Sequence, residues 1–111
     1  MKEVNILKSI DHINVIRYYG SFLEKNYLYI VMEYAEGGDL HRLLRKNRAE
    51  NKKFSERDLW MFAYEISLAI NVLHNKNIIH RDIKCLNLFL TRENRIKLGD
   101  MGQSKITSPI A

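Results

Sequence analysis

The stretch that decides how this chain reads is His80-Arg81-Asp82-Ile83-Lys84-Cys85-Leu86-Asn87, followed at once by the apolar triplet Leu88-Phe89-Leu90. Thirteen residues after Asn87 stands Asp100-Met101-Gly102. An Asp, a Lys two residues on and an Asn five residues on, all in a loop before an apolar strand, can converge on one point. With a second Asp from the next hairpin they offer a base, a cation and two oxygen ligands for a hard metal. Magnesium takes such ligands, commonly one or two from protein and the rest from phosphates and water. Phosphoryl transfer needs positioning and charge neutralisation more than covalent chemistry, and this set supplies both.

Outward from that segment the chain reads as short strands around helices. Upstream, Ser55 is a good N-cap, Asp58 stands at the third helical position, and Phe54 is placed to staple onto Leu59. Leu59, Phe62, Ala63, Ile66, Ala69, Ile70 and Leu73 follow at helical spacing, predicting one long amphipathic helix to about Asn75. Gly37-Gly38 breaks the chain before it, and Asp39 can cap a shorter helix bearing Leu40, Leu43 and Leu44. Tyr27 to Glu33 and the stretch Asn14 to Phe22, interrupted by Gly20-Ser21, have strand character, with Glu24-Lys25-Asn26 as their hairpin turn. Lys2 to Ile10 reads as the end of a helix, with Val4, Leu7 and Ile10 spaced by threes. Downstream, Ile78-Ile79, Leu88 to Leu90 and Ile96 to Leu98 are short strand pieces, and Thr91 to Arg95 is a turn.

The chain has 111 residues, 46% of them hydrophobic and 28% charged, which is globular composition and excludes a low-complexity or disordered class. The single cysteine, Cys85, rules out an internal disulfide framework. No apolar run reaches the roughly 18 residues of a membrane span, and the first residues have no apolar signal core. The expected location is intracellular and cytoplasmic, with no membrane partner. The formal net charge of +5 is local: His41 to Arg57 holds seven Lys or Arg against two Glu, and the rest is balanced at eleven of each. No aromatic ladder accompanies that cluster, so no nucleic-acid partner is expected and a solvated helix end is the simpler reading.

The joint pattern resembles the eukaryotic protein kinases. His80 to Asn87 is similar to their catalytic loop and Asp100-Met101-Gly102 to their metal-binding Asp-Phe-Gly motif, with Met101 in place of Phe. LYIVMEYAEGGDL, HRDIK and RIKLGD are similar to the NIMA-related group of Ser/Thr kinases. The resemblance implies an α+β, protein-kinase-like fold, truncated: residues 1–33 as a remnant of the small lobe, 34–39 as the hinge, and 40–111 as the first part of the large lobe to the start of the activation loop. It implies ATP and Mg2+ as cofactors and a protein substrate with a Ser or Thr acceptor.

Roles follow from the same resemblance. Asp82 accepts or orients the proton of the substrate hydroxyl, and Lys84 neutralises charge on the transferred phosphoryl group. Asn87 and Asp100 hold the metal. Met32 is the gatekeeper, Glu33 to Ala35 supply the backbone that bonds adenine, Phe89 is the apolar floor and Asp39 a ribose contact. Glu3 matches the helix glutamate that pairs with a lysine of the third strand. Leu7, Tyr18, His80 and Met101 match the stack of side chains linking the lobes. Arg81 is placed to meet an activation-loop phosphate, with Thr107 and Ser108 as acceptors. Cys85 stands where many relatives have proline and reads as a tolerated loop residue. Taken without the motif, Glu33 and Asp39 would be surface carboxylates and His80 a packed, hydrogen-bonded ring.

No G-x-G-x-x-G and no V-A-I-K lysine occur within the 111 residues, nor an Ala-Pro-Glu motif. The polypeptide on its own is therefore expected to have negligible kinase activity. Two other readings remain open: a non-catalytic, truncated kinase acting as a binding or interfering module, and a degenerate scaffold, against which the intact Asp82, Lys84, Asn87 and Asp100 speak.

Overall fold

A computed structural model describes residues 7–99 and 105–106. The positions expected for Glu3, Asp100, Met101, Thr107 and Ser108, and most of the helix expected over Lys2 to Ile10, lie outside the described residues.

Two strands form the first unit. β1 (Tyr18–Glu24) pairs antiparallel with β2 (Tyr27–Met32), Glu24 facing Tyr27 across a two-residue turn. Lys25 and Asn26 both have left-handed backbone, φ 50° and 68°, the geometry that matches strand twist in tight hairpins. Every residue of β2 is exposed, and the Phe22 and Tyr29 rings stack at 5.0 Å.

The first strand differs from the expectation at both ends. Asn14 to Ile16 do not belong to the hairpin, and the strand runs through Gly20-Ser21 to Glu24, with a register irregularity between Tyr18 and Gly20. The physical reason is a stronger partner elsewhere. Val15 bridges Leu98 in parallel, the Leu98 N–H donates to the Asn14 carbonyl at 2.8 Å, and the Ile16 N–H donates to the Leu98 carbonyl at 2.9 Å. Asn14, Val15 and Ile16 are buried there.

α1 (Leu40–Ala49) starts where Asp39 Oδ1 accepts from the Arg42 N–H at 2.8 Å, the cap that the sequence predicts. α2 (Glu56–Asn75) carries a full capping box, the Ser55 and Asp58 side chains each accepting from the other's N–H. Phe54 does not staple onto Leu59. It meets the Phe62 ring edge-on at 5.3 Å, while Leu59 stays exposed.

The buried stripe of α2 keeps five of the seven expected positions: Phe62, Ala69 and Leu73 are buried, and Ile66 and Ile70 pack partly buried against the core. Leu59 and Ala63 are exposed instead, and Glu65 joins the stripe. Glu65 takes an inward position because partners meet it: its Oε2 accepts from Asn14 Nδ2 and from Arg95 Nε, both at 2.8 Å. Its Oε1 is buried without a partner.

After α2 come β3 (Ile78–Ile79), a 3₁₀ turn (Cys85–Asn87), β4 (Leu88–Leu90), β5 (Ile96–Leu98) and β6 (Lys105–Ile106). β4 pairs with β5 and β3 with β6, both antiparallel. The core cluster joins Ile10, Val15 and Tyr18 to Leu73, Ile78, Leu88, Leu90, Ile96 and Leu98, so one apolar interior binds the hairpin unit to the helical unit. Each such side chain contributes about 1.5–3 kcal/mol by leaving water. No helix among the described residues is long and apolar enough to cross a membrane.

β5 is buried at all three positions, including Lys97. Lys97 Nζ lies 3.0 Å from Glu33 Oε2 and donates to the Ile13 carbonyl at 2.7 Å. Glu33 Oε1 accepts from the Arg17 N–H at 3.1 Å. This carboxylate is thus a bracket between β2, β5 and the chain before β1, rather than the surface group its type suggests.

Two outcomes test these buried charges. Glu65→Leu leaves Asn14 Nδ2 with only its bond to the Ile96 carbonyl, takes the acceptor from Arg95 Nε, and lowers stability by about 1–3 kcal/mol, a fall of roughly 4–20 °C in melting temperature. Glu65→Gln keeps an acceptor oxygen for Asn14 and Arg95 but sets an amide NH2 where Oε1 has no partner, so a loss of about 1–3 kcal/mol is expected here too in thermal unfolding. Lys97→Met keeps the stem but strips Ile13 and Glu33 of a donor, with an expected loss of about 1–3 kcal/mol in the same measurement.

Candidate active site

Residues 80–87 form a loop held between β3 and β4, and its geometry begins at His80. The ring is buried, with 3% of its surface exposed, which makes its hydrogen bonds decide its state. The Asp82 N–H donates to Nδ1 at 3.1 Å, so Nδ1 carries no proton, and the Nε2–H donates to the Gly99 carbonyl at 2.7 Å. These two bonds select one neutral tautomer and hold Asp82 to the ring. Between them Arg81 adopts left-handed backbone at φ 69°. For a bulky side chain that conformation is unfavourable, and it persists only where its surroundings enforce it.

Asn87 fixes the other side of Asp82. Its Nδ2 donates to the Asp82 carbonyl at 2.7 Å and to Asp82 Oδ2 at 3.1 Å, so the amide nitrogen faces the aspartate. That leaves the amide oxygen as the group able to meet a cation. The Asn87 N–H donates to the Lys84 carbonyl at 2.9 Å, closing the 3₁₀ turn. Lys84 Nζ stands 3.5 Å from Asp82 Oδ1, with its side chain 54% exposed. An exposed pair of that kind adds less than about 1 kcal/mol to stability, so its consequence is the placing of a cation beside the carboxylate. The sequence-predicted Asp82, Lys84 and Asn87 therefore do meet. Cys85 is partly buried against the core and unbridged.

Gly99 does not stand out in the sequence, yet the loop closes on it. Its N–H donates to the Asn87 carbonyl at 2.9 Å while its carbonyl receives the His80 ring. The chain leading into Asp100 is thus held from two sides. A Cβ at Gly99 would stand 2.8 Å from the Phe89 ring and 3.1 Å from Ile16, so any larger residue there would have to push the Phe89 ring aside. Its position directly before Asp100-Met101-Gly102 is the one signal that could point to it.

The expected nucleotide-side residues lie along the hinge. Met32 ends β2 and is 44% exposed. The Gly37 N–H donates to the Leu90 carbonyl and the Leu90 N–H to the Gly38 carbonyl, both at 2.8 Å, and Asp39 bridges Phe89. A Cβ at Gly37 would meet the Thr91 carbonyl oxygen at 2.7 Å, so glycine permits this close approach. Hinge and catalytic loop are therefore both tied to β4. Ala35 lies between, and the half-buried Phe89 turns its ring toward Gly99. Asp39 uses Oδ1 as the helix cap, which leaves Oδ2 for another donor. Of the lobe-linking stack, Leu7 and Tyr18 pack in the core cluster and His80 is bonded to Gly99.

Of the two residues expected to hold a metal, the structure describes only Asn87, whose amide oxygen is the kind of ligand a hard cation takes; Asp100 lies outside the described residues. Comparison with known proteins identifies the family. The model of the protein kinase domain family matches residues 1–110. Probable serine/threonine-protein kinase nek3 of Dictyostelium discoideum is 44% identical over 109 residues, covering 96% of this chain and 10% of that protein. Probable serine/threonine-protein kinase nek2 of the same organism is 43% identical over 111 residues, covering 96% of this chain and 27% of that protein. Mouse serine/threonine-protein kinase Nek3 is 39% identical over 111 residues, covering 99% and 21%. The chain thus spans between about a tenth and just over a quarter of the length of these relatives. With residues 80–87 closed around Asp82 and a family match along nearly its whole length, the chain belongs to the protein kinase domain family and is similar to its NIMA-related serine/threonine members.

Proposed function

We propose that these residues are the catalytic-loop part of an ATP-dependent protein kinase acting on Ser or Thr. The observation that carries the reading is the clamp on Asp82: His80 holds its N–H and Asn87 holds its carbonyl and one carboxylate oxygen. The other oxygen, Oδ1, faces Lys84 and is the one available to a substrate hydroxyl. Asp82 then orients that hydroxyl and accepts its proton, and Lys84 supplies charge to the transferred group. Positioning of this kind supplies much of the rate enhancement when no covalent intermediate is needed.

Asn87 and Asp100 would hold magnesium, which when bound would offset the charge of the nucleotide phosphates. The hinge backbone of Glu33 to Ala35 would bond adenine above Phe89, behind Met32, and Asp39 Oδ2 would meet ribose. Arg81 would receive a phosphate carried at Thr107 or Ser108, and Glu3 would pair with a lysine of the third strand. Within these 111 residues no glycine-rich phosphate loop and no such lysine occur. Transfer therefore requires those parts to come from another stretch of polypeptide.

A chimera tests this directly. Residues 1–111 replace the matching segment of the Dictyostelium nek2 relative, and phosphate transfer from ATP and magnesium to a generic Ser/Thr substrate is measured. The folded chimera is expected to turn over, with Asp82→Asn lowering kcat at least 10³-fold and Lys84→Ala at least 10-fold. The 111-residue polypeptide alone is expected to give no transfer above background. A chimera that folds and binds ATP but does not turn over would overturn the catalytic reading in favour of a binding module.

A further inference from the structure

The charge excess located in the sequence between His41 and Arg57 takes a definite shape in the structure. One face of α1 from His41 to Arg48, the connection to α2 and the first turn of α2 line an open groove of about 650 Å³. Its floor is apolar: Leu44 (40% exposed), Leu59 (54% exposed) and the half-buried Phe54. Its walls carry Arg45, Arg48, Lys52 and Lys53, all exposed. None of the residues lining it is acidic, and the nearby Glu50 pairs with Lys52 alone, at 3.2 Å. None of the catalytic-loop or hinge residues lines it either, so it is a separate surface.

We propose that this groove docks an acidic segment of a partner protein, one in which Asp or Glu residues flank bulky apolar side chains. Two features select that occupant. Lys52 is paired with Glu50, but Arg45, Arg48 and Lys53 face no acidic residue in the groove's lining, which favours carboxylates and rejects basic segments. The floor offers exposed apolar surface within a volume suited to a few side chains, and burying it adds affinity that charge in water does not. Nucleic acid fits less well, because the groove's lining holds only two rings, His41 and Phe54, and Phe54 is already packed T-shaped against Phe62, so no series of stacking rings runs along it. The proposal does not depend on phosphoryl transfer; it stands on other residues and is read without ATP.

The test is fluorescence anisotropy with a labelled synthetic peptide carrying four glutamates around a Leu and a Phe, added to the 111-residue chain and to the chimera. Binding is expected to weaken at least 10-fold when the glutamates are replaced by lysines, when Leu and Phe are replaced by serines, or in the Arg45→Glu/Lys53→Glu protein. Leu59→Ser is expected to weaken it about 3–10-fold by loss of apolar contact. All three substituted positions are exposed, and circular dichroism checks that the variants remain folded. Arg92→Glu, on the exposed β4–β5 turn, is expected to leave binding unchanged. The proposal is overturned if the peptide does not bind either protein, or if the serine peptide binds equally well. It is also overturned if the groove variants bind as the parent does, or if Arg92→Glu weakens binding as much as they do. Tighter binding of single-stranded DNA or of phosphatidylserine vesicles than of the peptide overturns it as well.

Discussion

The main-chain pairing of Leu98 is the constraint on which the rest of this structure depends. Its N–H and carbonyl bond the segment Asn14 to Ile16 on one side, and its strand pairs with β4 on the other. Leu98 itself is fully buried. One residue of β5 therefore joins the chain entering the hairpin to the strand that follows the catalytic loop. The next residue, Gly99, carries the bonds to His80 and Asn87. If that seam opened, the loop would lose its clamp and the hairpin its attachment to the core together.

Around the seam, buried polar groups act as cross-links between elements far apart in sequence. Glu65 reaches Asn14 and Arg95; Lys97 reaches Glu33 and Ile13. Such groups are costly to bury without partners and strongly directional once they have them. They set the approach of β1 and the hinge to the helices more narrowly than apolar contact could, because apolar contact is non-directional.

How much of this is legible in the sequence depends on the range of the interaction concerned. The caps Asp39 and Ser55, the turn expected at Glu24-Lys25-Asn26, which the structure shortens to Lys25-Asn26, and the turn at Thr91 to Arg95 involve partners within four residues, and local chemistry points to each. The buried face of α2 is mostly the expected one, but it gains Glu65, which a helical-period reading of apolar residues leaves out because its partners lie 51 and 30 residues away. The strand expected from Asn14 fails for the same reason: β propensity says that a segment pairs, and not with which strand. At the site, Asp82, Lys84 and Asn87 are legible from type and spacing. Gly99 is not, because its role is a close approach to Phe89 and two main-chain bonds.

By itself, then, the sequence determined the chemistry available: which residues are acid, amide and cation, how the helices begin, and that the motifs belong together. Only the tertiary structure decided how those groups are used. It chose the tautomer of His80, the direction in which Asn87 points its amide, the burial of Glu65 and Lys97, and the gathering of a basic cluster around an apolar floor. The physical reason is that a hydrogen bond or a buried charge takes its orientation and its cost from the partner across the fold, which no local pattern specifies.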